Sequence, residues 1–329
     1  MSPDHAGRAA LDRWIASGGH WDVVAETGDR VTVALCTCDG GQEMDRVVLR
    51  RDELPRDGLS VREQPTSGID GVRCIPDRPT GTGALVLGGS SGRIDAPRAR
   101  LLAGEGVLAE SVRWFGGPGQ HDGPWEIALE TFLDRVADLR RDCDRVLVLG
   151  TSFGAEAALL TGALSDDVDA VVAFAPSDLV WAGVTGDGRV TSHWTHHGEP
   201  LPFVPFDDTW QADTDPPSYD GLYRRSRERF ADRVPGATIP VERIAALVLV
   251  AGGDDRVWPA QDHARHIVER RAALDLPTAL VTDPDAGHRV ILPGEPVVTA
   301  GMRMQRGGSE DADRRLGRAA WTAVLRLLG

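Results

Sequence analysis

The 329-residue chain contains no lysine and no asparagine, so all 36 of its cationic side chains are arginines. Both absences fit a GC-rich coding sequence and carry no functional weight. Fifty acidic residues leave a net charge of −14. That balance excludes a general nucleic-acid binder, because affinity for a phosphate backbone needs clustered cations. No apolar run approaches the roughly 20 residues that span a bilayer. The N-terminal stretch Met1–Leu11 includes Asp4 and Arg8 and has no apolar segment of the secretory kind. Cysteine is scarce. Cys36, Cys38, Cys74 and Cys143 fall in no zinc-ligand spacing, so they are expected as reduced, buried or half-buried thiols, with no metal and no cofactor. The expectation is an acidic, soluble, cytoplasmic globular protein without a membrane span. At 41% hydrophobic residues, it has apolar material enough for one large domain and a small extension.

Two patterns divide the chain. In residues 1–66, Leu11–Ser17 reads as a short helix, and Trp21–Glu26, Val31–Cys36 and Met44–Leu49 read as strands. Asp39-Gly40-Gly41 supplies hairpin-turn chemistry. This piece has little apolar surface and is expected to pack on the main domain as a small β extension. Over 67–329, short apolar strands alternate with helices: Gly83–Leu87, Gly106–Val112, Arg145–Leu149, Val168–Phe174, Ala246–Ala251 and Thr278–Thr282. Helices are expected from near Pro97, over Trp125–Leu139, Phe153–Leu164 and Ala260–Arg271, and over Ala312–Leu328. Strands too apolar to alternate, each paired with a helix, indicate an α/β fold whose mostly parallel sheet is covered on both faces. The stretch at about 176–241 breaks the pattern with Trp181, Trp194, Phe203, Phe206, Trp210, Tyr219, Tyr223 and Phe230. An insertion this long and aromatic reads as a lid over a site.

Chemistry enters at Gly150-Thr-Ser152-Phe-Gly154, a G-x-S-x-G. Alone it is weak, since a chain with 38 glycines matches it by chance about one time in five. A second match, Gly88-Gly-Ser90-Ser-Gly92, is present. Context separates them: Ser152 follows a strand and is followed at once by a helix, the strand–turn–helix that exposes a nucleophilic hydroxyl. After Ser90, Arg93-Ile-Asp-Ala-Pro delays the helix, so Ser90 is expected to donate its N–H to an oxyanion hole together with Phe153. A serine needs a base. His288 stands in Asp283-Pro-Asp-Ala-Gly-His288, and an orienting acid in Gly252-Gly-Asp254-Asp255-Arg-Val-Trp-Pro259. The order Ser152, Asp255, His288 is that of α/β-hydrolases, with Asp254 as the other candidate acid. His193, His196 and His197 lack a nearby Cys or acid in sequence, and His263 and His266 read as a solvated helix face. The basic run Arg224–Arg233 reads as a solvated amphipathic helix with Leu222, Phe230 and Val234 inward. Its alternative is a dock for a phosphate-bearing acyl carrier.

Several of these segments together resemble a known family. They are Leu85–Gly92, Glu126–Phe132, Gly150–Glu156, Ser192–Pro202, Ile239–Ile244, Gly252–Pro259 and Ala286–His288. From about Gly71 onward the chain is similar to the C-terminal catalytic domain of acyl-CoA thioesterases and bile-acid-CoA:amino-acid N-acyltransferases. The resemblance implies acyl transfer from a thioester through a covalent acyl-enzyme, with Ser152 in the position that family members fill with Ser or Cys. It implies a small-molecule acyl thioester or ester substrate such as acyl-CoA. The alternative outcome is transfer of the acyl group to an amine or hydroxyl acceptor. The first seventy residues depart from the N-terminal β-sandwich of the larger members. A binding protein or a non-hydrolytic enzyme on the same scaffold is a further alternative, expected to have lost a triad position; none is missing here.

Overall fold

A computed structural model describes residues 3–17, 20–37, 42–50, 54, 61–298 and 301–328. They divide into two units, Met1–Ser60 and Val61–Gly329. The first unit holds α1 (Pro3–Ala16), β1 (His20–Thr27), β2 (Arg30–Cys36) and β3 (Glu43–Arg50). Its strands form an antiparallel meander in the order β1-β2-β3. Period-two alternation turns Val31, Val33 and Leu35 to one side, where Leu11, Val47 and Leu49 complete a small core. Cys38 and the turn Asp39-Gly40-Gly41 lie outside the described residues.

The boundary expected after residue 66 falls instead at Ser60/Val61. Val61–Pro65 forms β4, paired antiparallel with β5 (Gly71–Pro76). Its sequence, Val-Arg-Glu-Gln-Pro, is nearly all exposed, so hydrophobic patterning gives no sign of it. There follow β6 (Thr82–Leu87), α2 (Ala96–Gly104), β7 (Leu108–Val112), β8 (Ile127–Ala128), α3 (Glu130–Asp142), β9 (Arg145–Thr151), α4 (Phe153–Leu164) and β10 (Ala170–Phe174). The helix expected over Trp125–Leu139 begins only at Glu130. Ile127-Ala128 is drawn into a short parallel pairing with Trp194-Thr195. The insertion contributes β11 (Ala182–Val184), β12 (Val190–Ser192), β13 (Trp194–His196), β14 (Glu199–Pro200), α5 (Asp220–Arg229) and α6 (Val234–Ala237). The chain closes through β15 (Ala246–Gly252), α7 (Ala260–Ala272), β16 (Thr278–Asp283) and α8 (Glu310–Leu328).

Eight strands form one sheet in the order β16-β15-β10-β9-β6-β7-β5-β4. The six from β16 to β7 run parallel; β5 is antiparallel to both of its neighbours, β7 and β4, so edge strand β4 runs with the six. This is the α/β-hydrolase fold. Alternate strand residues serve opposite faces. Leu85, Val146, Val148, Val171 and Leu249 pack with α3, α4 and α7. Val86, Leu147, Leu149, Val172 and Val250 pack with α2 and α8. Strands covered on both sides have no solvent face to mark with polar residues, which is why they read as continuous apolar runs. At α8, Ser309 Oγ accepts the Ala312 N–H at 3.3 Å, and Glu310, Asp311 and Asp313 occupy the first turn, where the helix dipole favours acids. Among the described residues no helix is long and apolar enough to cross a membrane.

Candidate functional site

Parallel strands bring their C-terminal ends to one edge, and three loops meet there. Ser152 follows β9, Asp255 follows β15 and His288 follows β16. Ser152 has φ 58° and ψ −123°, a conformation that costs a non-glycine residue about 1–3 kcal/mol. Its N–H is fixed to the Phe174 carbonyl at 2.9 Å, and α4 starts at the next residue. The flanking glycines follow from the turn's tightness. A Cβ on Gly150 would strike the Gly154 carbonyl, and one on Gly154 would strike the carbonyls of Gly88 and Leu87.

His288 Nδ1 lies 2.7 Å from Asp255 Oδ2. The other carboxylate oxygen, Oδ1, accepts the N–H groups of Val257 (2.8 Å) and Trp258 (3.3 Å), so Asp255 is held from both sides. An ionised carboxylate only accepts, which places the shared proton on Nδ1 and leaves Nε2 with its lone pair. Asp254 is turned elsewhere, to the Gly308 N–H at 2.9 Å and to Arg256. Ser152 and Asp255 are each 7% exposed and His288 is 8% exposed, so the site is shielded from bulk water. A cleft of about 700 Å³ beside Trp114, His121 and Glu126 includes none of the three.

The expected oxyanion donor Ser90 is joined by a second candidate in the same loop. Ser90 is exposed in a turn closed by the Gly92 N–H on the Gly89 carbonyl. Gly89 is the residue against Ser152: a Cβ there would stand 3.2 Å from Ser152 Cβ and 3.9 Å from its Oγ. The double glycine after β6 serves this approach, and sequence alone does not say which residue of Gly88–Gly92 makes it.

Three supports escape sequence reasoning. Arg98 of α2 is buried, donates to Thr151 Oγ1 at 2.8 Å beside the elbow, and pairs in two bonds with Glu295. Burial opposes the Arg98 charge, but the Glu295 carboxylate more than offsets it and raises the guanidinium pKa. Burial likewise opposes the Glu295 charge, and Arg98 with the Leu292 N–H holds that carboxyl below its usual range. Its stabilisation is therefore present above the usual carboxylate pKa and is lost as pH falls through the lowered folded value. Arg98→Met, which leaves Glu295 buried and unpaired, is expected to cost about 3–5 kcal/mol in urea unfolding. Removing Glu295 as well should restore much of it. Asp313 of α8 accepts the Gly287 N–H at 2.7 Å and steadies the histidine loop. Glu156 of α4 is fully buried. Its one sequence signal is that it is the lone charge in the apolar run Phe153–Leu164.

The histidines also depart from expectation. Glu130 comes within 3.9 Å of His196 and 3.5 Å of His197, brought from 66 positions upstream by the β8–β13 pairing. These three groups could share a metal ion, as could Asp178, His263 and His266. In the second set Arg227 already occupies Asp178 with three bonds, which disfavours a cation. His263 is buried on Asp178 rather than solvated. The arginines of the basic run are paired as well: Arg224 with Asp220 and Asp262, Arg225 and Arg229 with Asp207. Tyr223 and Ser226 are the buried residues of α5, which ends at Arg229, so the Arg224–Arg229 part of the run lies on an ion-paired amphipathic helix.

Residues 132–327, well over half of the chain, match the family model for the BAAT / acyl-CoA thioester hydrolase C-terminal region. The chain belongs to this family. The match begins at the start of α3 and spans the elbow, the insertion, both acid and histidine loops, and most of α8. No curated protein matches the chain. Solved structures similar to it include P91, a dienelactone hydrolase-like promiscuous phosphotriesterase from metagenomic libraries, at 14% identity, 82% of this chain, 97% of that chain and TM-score 0.45. Another is Est1E from Butyrivibrio proteoclasticus, at 14% identity, 82% of this chain, 97% of that chain and TM-score 0.43. A third is TT1662 from Thermus thermophilus, at 16% identity, 82% of this chain, 98% of that chain and TM-score 0.42.

Proposed function

We propose that the chain is a serine hydrolase that cleaves an acyl thioester or ester through an acyl-enzyme on Ser152. The observation that carries this reading is the 2.7 Å contact of His288 Nδ1 with Asp255, set at the same sheet edge as the strained elbow of Ser152. In this mechanism Ser152 Oγ attacks the acyl carbonyl while His288 Nε2 takes its proton. Asp255 holds the imidazole tautomer and stabilises the imidazolium. The N–H of Phe153 and that of the β6–α2 loop at Gly89 face the developing oxyanion, where fixed dipoles in a shielded site act most strongly. His288 returns the proton to the leaving thiolate or alkoxide; water then attacks the acyl-Ser152 carbonyl as His288 Nε2 takes its proton, and His288 passes that proton to Ser152 Oγ as free acid leaves.

Product analysis over a panel of acyl-CoAs and p-nitrophenyl esters, with and without amines, tests the assignment. Free acid should form at the same rate whether or not an amine is present. Acyl amide as the sole product, formed only with an amine, would overturn hydrolysis in favour of acyl transfer. Because the α5 arginines are internally paired, Arg224→Glu with Arg225→Glu should change KM for acyl-CoA and for a neutral ester alike. A rise of about tenfold confined to acyl-CoA would reinstate a carrier dock.

A further inference from the structure

The carboxyl of Glu156 belongs to the first turn of α4, the helix that follows Ser152, four residues past it, and is fully buried. Its Oε1 accepts the backbone N–H of Trp181 at 3.1 Å and the indole N–H of Trp194 at 2.7 Å. Both tryptophans belong to the insertion and are themselves fully buried. Oε2 has no hydrogen-bond partner. One carboxyl thus joins two separate stretches of the insertion to the helix that presents the nucleophile. The link continues toward the site. His193, beside Trp194, packs on the Phe153 ring at 4.0 Å, Phe153 meets Trp258 at 5.4 Å, and Trp258 meets His288 at 6.0 Å.

We infer that Glu156 is a positioning residue, an uncharged clamp that fastens the Trp181 and Trp194 segments of the insertion over Ser152. This rests on the Ser152 reading given above. Charging a buried carboxyl is costly unless a cation faces it, and among the described residues none does. The titratable groups that face it are His193, 4.0 Å away, and Tyr223 of α5. Burial pushes His193 down to about 3, so it stays neutral. Burial also pushes the Tyr223 phenol up, so it stays neutral too. Burial pushes Glu156 itself up to about 8, against weaker opposing pulls from the Trp194 and Trp181 hydrogen bonds. The sign follows: the carboxyl is neutral at neutral pH and ionises as pH rises through the folded value; its two N–H bonds then tighten, but an uncompensated buried charge appears beneath the insertion and loosens the packing around it. Glutamine keeps the acceptor oxygen and cannot ionise, whereas leucine leaves both tryptophan N–H groups without it.

Two readouts on the full chain, from about pH 6 to about pH 9.5, test the clamp. The first is tryptophan fluorescence, which needs no substrate. The second is the rate of Ser152 labelling by a fluorophosphonate. Wild type should show a fluorescence transition centred near pH 8 and about a tenfold fall in labelling by about pH 9. Glu156→Gln should label within about threefold of wild type at neutral pH and lose both the transition and the alkaline fall. Glu156→Leu should label at least about tenfold more slowly at every pH; if it does not fold, Glu156→Gln carries the test. The same transition and the same fall in Glu156→Gln, or neither in wild type, would overturn the clamp. A wild-type fluorescence transition that Glu156→Gln abolishes, with no labelling in any variant, would support the clamp and count against the Ser152 reading.

Discussion

Ser152→Ala is expected to lower kcat for the accepted acyl donor by about 10³- to 10⁶-fold. Without Oγ no acyl-enzyme forms, and only donor binding and the fixed N–H dipoles remain, which sustain a small residual rate over water. The fold should survive. Ser152 owes its position to backbone constraints, the Phe174 carbonyl behind its N–H and the close packing of Gly150 on Gly154. Alanine meets the same φ of 58° with the same Cβ. A Tm within about 2 °C of wild type would show that the loss is chemical. Activity within about tenfold of wild type would place the nucleophile elsewhere.

Asp255→Asn should lower kcat by about 10⁴-fold with the structure intact. Its oxygen can still accept the Val257 and Trp258 N–H groups. Its amide, however, donates toward His288 Nδ1, which moves the imidazole proton to Nε2 and removes the lone pair that Ser152 needs. Asp254→Asn is the paired control. It should change kcat by less than about threefold, because Asp254 serves Gly308 and Arg256. The reverse ranking of the two variants would exchange the roles of these adjacent acids.

Much of the fold is legible in the sequence because β6, β9, β10 and β15 are buried, almost wholly apolar runs, and β6, β9 and β15 each lead into a helix. The elbow is legible because strand, turn and helix are consecutive and Gly150 is demanded by the Gly154 carbonyl four residues on, although Gly154 itself answers to the distant carbonyls of Gly88 and Leu87. The parts that are not legible depend on long-range pairing. Val61–Pro65 becomes a strand only because β5 supplies an edge, and Ile127-Ala128 leaves the helical pattern only because β13 lies alongside. Glu130 meets His196 and His197 through that same pairing. Within the site, the pattern orders Ser152, Asp255 and His288, but not Asp255 over Asp254 with certainty, since both occupy one tight loop. The supports are the least visible. Arg98 and Glu295 stand 197 positions apart, and Glu156 gains its partners from an insertion whose aromatics the sequence places in a lid but cannot align with a carboxyl.

The most direct measurement is intact-protein mass spectrometry after incubation with acyl-CoAs and p-nitrophenyl esters, comparing wild type with Ser152→Ala and quantifying released acid. The predicted result is a mass increase equal to the acyl group, or steady release of free acid, present in wild type and absent in Ser152→Ala. An adduct or acid release undiminished in Ser152→Ala, or none from any donor while fluorophosphonate also fails to label wild type, would contradict acyl-enzyme chemistry at Ser152.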